Sequence, residues 1–161
     1  MKVLDAMMRT PYCCEPGTNL GSATELMWKG NCGFLPVVES DGKVVGVVTD
    51  RDICVALGTR GRPSGEITVR EVMTSQVHSC KPEDDVHVAL RTMRDGRVRR
   101  LAVIDKSGVL AGVISMDDIL LRVEAPATGK NTGVTSEEIV NVLQAINSHH
   151  LALLTTKQAA A

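Results

Sequence analysis

Aromatic residues are nearly missing: Trp28, Tyr12 and Phe34 are the only three in 161 residues. A surface that holds single-stranded nucleic acid by stacking bases on rings is therefore excluded as a reading. Neither sign of charge predominates, with 18 Lys and Arg against 19 Asp and Glu. The formal net charge is −1, so no global field draws a polyanion, and any basic patch would have to be local. Apolar runs of roughly 20 residues, the length that crosses a bilayer, do not occur. The amino-terminal MKVLDAMMRTPYCC has neither a long apolar stretch nor a clean cleavage site, which predicts a cytoplasmic protein with no membrane partner. The five cysteines (Cys13, Cys14, Cys32, Cys54, Cys80) form no CxxC and no zinc-knuckle spacing with His. An odd, scattered set is a poor disulfide framework and reads as small buried hydrophobes in a reducing compartment. No metal site is expected, and His149–His150 reads as a solvated helix end. Ser, His, Cys and carboxylates occur without a nucleophile–base signature, so no enzyme is expected and no cofactor is essential.

What is present is a core and a repeat. Hydrophobic residues make up 43% of the chain, enough to rule out general disorder. Shifted by 66 residues, the sequence aligns with itself without a gap. Val3 falls on Val69, Met7 on Met73, Cys14 on Cys80, Pro16 on Pro82, Ala23 on Ala89 and Met27 on Met93. Gly30 falls on Gly96, Leu35 on Leu101, Val37 on Val103 and Gly42 on Gly108. Gly46, Val47, Asp52 and Ile53 then fall on Gly112, Val113, Asp118 and Ile119. Chance would give about three identities over such a span, so the halves are structural copies.

Each copy reads the same way. A short strand near Tyr12–Cys14 or His78–Cys80 comes first. NLGSATELMWKGN and DVHVALRTMRDGR then carry apolar residues at helical spacing. The strands FLPVVE and RLAVID follow, each ending in a Gly-containing turn, and then KVVGVVT and VLAGVIS. The helices DRDICVAL and MDDILLRV close the units. The predicted fold is α+β, with two β-α-β-β-α repeats packed pseudo-symmetrically sheet to sheet. The first repeat is assigned to residues 1–57, a Gly/Pro/Ser-rich linker to 58–67 and the second repeat to 68–123. TVREVM reads as a short helix mirroring KVLDAMM. Residues 124–161 hold a linker, a helix opened by a Thr135–Glu138 capping box, and a frayed TTKQAAA tail.

Two segments carry the chemistry: GVVTDRD, residues 46–52, and GVISMDD, residues 112–118. Thr49…Asp52 and Ser115…Asp118 have the spacing of helix capping boxes, with the carboxylate favourably placed on the helix dipole. The same atoms also suit a nucleotide. Backbone N–H groups at a helix start attract anions, a carboxylate accepts from vicinal ribose hydroxyls, and glycine lets a base approach. Both readings stand at this point.

The repeat order and the two motifs resemble the cystathionine β-synthase (CBS) domain as a tandem pair. MTSQVHSCKPEDDVHVAL and FLPVVESDGKVVGVVT resemble the family's other stretches, and the likeness covers residues 1–123. The resemblance implies a stand-alone regulatory module, binding AMP, ADP, ATP, NAD or S-adenosylmethionine in clefts between the repeats. Energy sensing, a homodimer formed through the helices into a flat disc, and an unknown effector protein are implied with it. Asp52 and Asp118 would hold ribose hydroxyls, and Thr49 and Ser115 would contact sugar or phosphate. Tyr12 and Cys13, with Val77 and His78, would border the base, and Val113 belongs to the same set. Arg99 or Arg100, helped by Arg51, would meet the phosphate, because guanidinium suits phosphate bidentately. The first repeat has no cation between Asn31 and Val37, which predicts unequal occupancy of the two clefts. Phe34 and Ala102 depart from the family pattern; Phe34 either narrows the first cleft or packs in the core. The alternative is a ligand-free scaffold working through the carboxy-terminal helix and a dimer surface. Nucleic acid is not expected as a partner, Arg91, Arg94, Arg97, Arg99 and Arg100 being the only basic cluster.

Overall fold

The computed structural model describes residues 1–122 and 133–148. Most of the expected second linker, His149–His150 and the TTKQAAA tail lie outside the described residues. Elements run in the order α1 (Val3–Ala6), α2 (Leu20–Lys29), β1 (Phe34–Val38), β2 (Val44–Thr49), α3 (Asp50–Arg60), β3 (Ser79–Cys80), α4 (Val86–Gly96), β4 (Arg100–Ile104), β5 (Leu110–Ser115), α5 (Met116–Leu120) and α6 (Ser136–Asn147). Two 3-10 turns, Ser64–Glu66 and Val69–Glu71, lie between α3 and β3. The sheets are ordered β1-β2 and β3-β4-β5. The α+β repeat order is therefore as the sequence predicts.

Three local expectations change. Tyr12–Cys14 makes only one parallel bridge, Cys14 to Val37, whereas its counterpart forms the two-residue β3. Pro11 and Pro16 flank the first segment, and Pro11 has no N–H where the second repeat carries Val77. TVREVM shortens to a 3-10 turn over Val69–Glu71. Helix α3 runs on to Arg60, and Gly61 ends it at φ 59°, a left-handed value that glycine adopts without strain.

The chain divides into two compact units, and neither is a repeat. Among the described residues, one holds 1–7, 78–101, 114–122 and 133–148, and the other holds 8–77 and 102–113. The leading segments are exchanged. Val3 N–H donates to Asp84 O (2.9 Å) and Leu4 N–H to Pro82 O (2.9 Å) within the first unit. Val69 N–H donates to Thr18 O (2.8 Å) and Arg70 N–H to Pro16 O (2.9 Å) within the second. Each pair is the other shifted by 66 residues. Val3 and Val69 are both completely buried, so each repeat begins by filling the core of the other.

In the second unit, Leu20, Ala23 and Met27 of α2 pack with Leu35, Val37 and Val48 of the hairpin and Ile53 and Ala56 of α3. Ile67 and Val69 complete that cluster. Burying each large aliphatic side chain favours folding by about 1.5–3 kcal/mol. The first unit buries Val86, Leu90 and Met93 of α4 and Ile119 of α5. Helix α6 packs on α4 and buries Ile139, Val142 and Ile146, the stripe its spacing predicts. Its start is capped by Thr135, whose Oγ1 accepts from Glu138 N–H at 3.2 Å.

Candidate ligand-binding site

Both motifs sit where a strand runs straight into a helix. At α3, Thr49 Oγ1 donates to Asp52 Oδ2 (2.7 Å) and accepts from Asp52 N–H (3.2 Å), while Thr49 N–H donates to the same Oδ2 (2.9 Å). At α5, Ser115 Oγ donates to Asp118 Oδ2 (2.6 Å) and accepts from Asp118 N–H (3.1 Å), with Ser115 N–H on that Oδ2 at 2.9 Å. The capping reading is thus correct for both. It does not use up the carboxylates. Among the described residues every hydrogen bond to either group falls on Oδ2, which leaves Oδ1 as an acceptor in both copies.

The predicted residues fall into two groups, one in each unit. Tyr12, Cys13, Thr49, Arg51, Asp52, Val77 and Val113 belong to the second unit; His78, Arg99, Arg100, Ser115 and Asp118 belong to the first. In the first unit Arg99 lies against the motif, since Met116 N–H donates to Arg99 O at 3.0 Å. Arg99 is exposed and Arg100, the first residue of β4, is half-buried. In the second unit Asp50 N–H donates to Gly33 O at 3.3 Å, the equivalent bond. Arg51 is exposed, and its N–H donates to Asp50 Oδ1 at 2.7 Å. Phe34 is half-buried on β1 and pairs with Thr49.

The sequence reading assigned no role to Gly30, Gly96, Gly33 or Asp50. A Cβ on Gly30 would come within 2.6 Å of Tyr12 Cδ2, and one on Gly96 within 2.8 Å of the His78 ring. Tyr12 and His78 are themselves a 66-residue pair, so each repeat lays a flat ring against a glycine where its first helix ends. The identity of Gly30 and Gly96 was the available signal. The 33/50 pair has diverged: the Asp50 carboxylate lies over Gly33, while the second repeat has Arg99 and Met116 there. An acid occupies the first position and a guanidinium group the second.

Three thiols, Cys13, Cys14 and Cys80, are pushed above the ordinary thiol value. Burial, then neighbouring Cys13, pushes Cys14 up to about 12. Burial, then Asp84, does the same for Cys80. Cys13 is raised by burial and by Glu15. Thiols raised in this way are protonated and unreactive rather than nucleophilic. Among the described residues no cluster of His, Cys, Asp or Glu could hold a metal ion, and no helix is long and apolar enough to cross a membrane.

Two successive α-β-β-α repeats, each with a hydroxyl–Asp cap at the start of its last helix, define a tandem-repeat α+β module. The CBS domain matches twice, over residues 3–59 and 69–125, and the chain belongs to that family. It is 32% identical over 117 residues to the CBS domain-containing protein YhcV of Bacillus subtilis, covering 73% of this chain and 81% of YhcV. It is 28% identical over 107 residues to the uncharacterized protein MK0525 of Methanopyrus kandleri, covering 65% of this chain and 55% of that one. Against inosine-5′-monophosphate dehydrogenase of Thermoplasma acidophilum it is 32% identical over 127 residues, 78% of this chain but only 24% of the enzyme. Among solved structures, the CBS domain pair of protein MJ0100, in complex with 5′-methylthioadenosine and S-adenosyl-L-methionine, matches with a TM-score of 0.69 at 24% identity, covering 76% and 94% of the two chains. CBSX2 in complex with AMP matches with a TM-score of 0.66 at 24% identity, covering 75% and 94%.

Proposed function

We propose that this CBS pair is a regulatory module that binds an adenosyl ligand and passes its occupancy to an effector protein, without catalysing a reaction. The observation that carries the reading is the unused Oδ1 of Asp52 and of Asp118, held in place by the cap and directed by a bonded Oδ2. Such an oxygen accepts ribose hydroxyls at no cost in reorganisation. Tyr12 and His78, fixed over their glycines, border the base, with Cys13, Val77 and Val113 as apolar wall. Arg99 supplies the phosphate contact at Ser115–Asp118, with Arg100 and Arg51 as further cations. Asp50 disfavours phosphate beside Thr49–Asp52. The second motif therefore takes AMP, ADP or ATP, and the first stays empty or takes an uncharged or cationic adenosyl compound.

The mechanism is linkage: a ligand shifts the balance of conformations by its difference in affinity between them. Competition among AMP, ADP and ATP at one site would make the module an energy sensor. We place it in the cytoplasm as a homodimer. The adenosyl-ligand complexes of MJ0100 and CBSX2 support the ligand class. The scaffold alternative finds less support, because α6 buries its apolar stripe on α4 instead of presenting it.

Thermal unfolding with AMP, ADP, ATP, NAD, S-adenosylmethionine and 5′-methylthioadenosine, each at about 1 mM, tests the reading. A ligand at ~100 times its Kd stabilises by about 2.7 kcal/mol, roughly 5–11 °C for a chain of this size. A larger shift with the phosphorylated compounds is expected. No shift with any of the six overturns the ligand-binding reading.

A further inference from the structure

Two short helices of this chain are closed by one side chain. Helix α5 spans only Met116–Leu120, whereas its counterpart α3 runs from Asp50 to Arg60. In α3 the Asp52 carbonyl lies inside a regular helix, where the N–H four residues on, that of Ala56, is its partner. Asp118, the equivalent residue, stands near the end of its helix. Leu121 N–H donates to Asp117 O (3.0 Å), and Arg122 N–H tightens onto Ile119 O (3.0 Å). The amide that would serve Asp118 O in a longer helix is therefore taken. The Arg122 side chain serves it instead: Nη1 donates to Asp118 O at 2.9 Å. Nε of the same group donates to Asp5 O at 3.2 Å, and Asp5 lies in the four-residue α1. One guanidinium group thus satisfies a carbonyl on each of two helix ends.

We propose that Arg122 is a positioning residue of the Ser115–Asp118 site, holding the turn that carries Asp118 against α1. This deepens the ligand-binding reading above and rests on it. The free Oδ1 accepts a ribose hydroxyl without reorganisation only if the turn beneath it stays put. A five-residue helix supplies little of that rigidity by itself. The first repeat needs no such residue, and position 56, the counterpart of 122, is a buried alanine. Glu71, the counterpart of Asp5, does receive an arginine: Arg60 Nη2 donates to its carbonyl at 2.8 Å. But Arg60 is the last residue of α3, well beyond Asp52, so that clamp bypasses the motif. Both Arg122 bonds go to backbone carbonyls, so it acts through Asp118 and not on the ligand.

Amide exchange of the full chain without ligand, and AMP affinity by calorimetry, test this in wild type, Arg122→Ala and Arg122→Lys. Ser115 N–H and Asp118 N–H are both bonded within the cap. Thr49 N–H and Asp52 N–H are their controls in the other copy. In Arg122→Ala the first two should exchange about 10-fold faster, the scale of one lost hydrogen bond, and the controls should not move. The Kd for AMP should rise by about as much. Lysine, with one ammonium in place of nitrogens held in a planar fork, should restore only part of either effect. Acceleration shared equally by both caps, as plain loss of stability would give, overturns the proposal. So does equal AMP affinity in wild type and Arg122→Ala. If AMP does not bind the wild type, the ligand-binding reading fails at this site. Faster exchange confined to Ser115 and Asp118 then still supports the positioning, and unchanged exchange overturns it.

Discussion

Asp118 is bonded on one oxygen and open on the other, so capping and binding can be separated by substitution. In Asp118→Asn the single amide oxygen can take the place of Oδ2 and accept from Ser115 N–H and Oγ, bonds of 2.9 and 2.6 Å in the wild type. The amide NH2 then stands where Oδ1 was. The cap survives, and only the charge–dipole interaction is lost, about 0.3–1 kcal/mol. Asp118→Ala removes the reciprocal bonds as well, at about 1 kcal/mol or somewhat more. Near 2–4 °C per kcal/mol, the Asn variant should melt within about 1–4 °C of wild type and the Ala variant below it. The ligand side moves the other way. A ribose hydroxyl that donated to a carboxylate now meets a donor, and hydrogen bonds to charged groups contribute about 1.5–3 kcal/mol. Affinity should fall by roughly 10- to 150-fold. At a concentration 100 times the wild-type Kd, a 100-fold loss cuts ligand stabilisation from about 2.7 to about 0.4 kcal/mol. The assay is a melting curve with and without the best ligand for the three proteins. If Asp118→Asn keeps the full ligand shift while Asp118→Ala loses only stability, Asp118 is a cap and nothing more.

Gly96→Ala places a methyl group 2.8 Å from the His78 ring. Overpacking of about 1–3 kcal/mol should outweigh the roughly 1 kcal/mol gain in helix propensity. Denaturant unfolding should show net destabilisation, and the His78 ring resonances should shift; an unchanged ring signal would contradict the packing. Docking of α6 should depend on pH through His87, which donates to Asp85 Oδ1 and to Gly133 O (3.1 Å) and lies 3.5 Å from Glu138 Oε1. Its pKa is raised above 6.5, first by the Asp85 hydrogen bond, against partial burial, with help from the Gly133 carbonyl and Glu138. A raised folded-state pKa means the stabilisation is complete below the ordinary imidazole value and is lost as pH climbs through the raised one. Amide exchange in α6 should therefore accelerate, beyond its intrinsic rise, as pH climbs above the ordinary imidazole value and through the raised one. His87→Gln should flatten that excess. At the acid end Asp85 is held down to about 2, chiefly by the His87 backbone N–H and ring, so the contact persists well below neutral pH.

Local pattern carried much of this in the sequence. The helical stripes of α2 and α4, the Gly-turn hairpins and the three hydroxyl–carboxylate caps depend on neighbours within a few residues, and they appear where periodicity and spacing put them. What periodicity does not carry is the partner of a short segment. Val3 and Val69 align with each other, yet alignment cannot tell that each hydrogen-bonds to the opposite repeat, because that choice is made by long-range packing. The Tyr12–Cys14 strand fails for a local reason that was visible, Pro11 lacking its N–H. The rings over Gly30 and Gly96 were half visible: the glycines matched, but Tyr12 and His78 do not look alike until the structure shows them doing the same thing. The cover on α4 was legible only as an amphipathic helix in search of a surface.

Positions where the repeats agree and positions where they differ answer different questions. Gly46/Gly112, the hydroxyls and Asp52/Asp118 agree, and they build the strand-to-helix corner with its spare carboxylate oxygen; a fold requirement and a ribose contact would both hold them fixed. Gly33/Arg99 and Asp50/Met116 differ although the backbone bond between their carbonyl and amide is the same in both copies, 3.3 and 3.0 Å. The fold thus tolerates either pair, and what changes is the charge offered to a ligand. Thr24/Leu90 and Trp28/Arg94 differ on the outer face in the same way. Leu90 is buried because α6 covers it, and Arg94 is soluble beside that cover. Trp28, with no equivalent cover within the described residues, keeps an indole in solvent. Divergence at Gly33/Arg99 and Asp50/Met116 therefore separates the two copies more sharply than the identities do: under the proposed reading, the second repeat offers a guanidinium group to a phosphate where the first offers an acid.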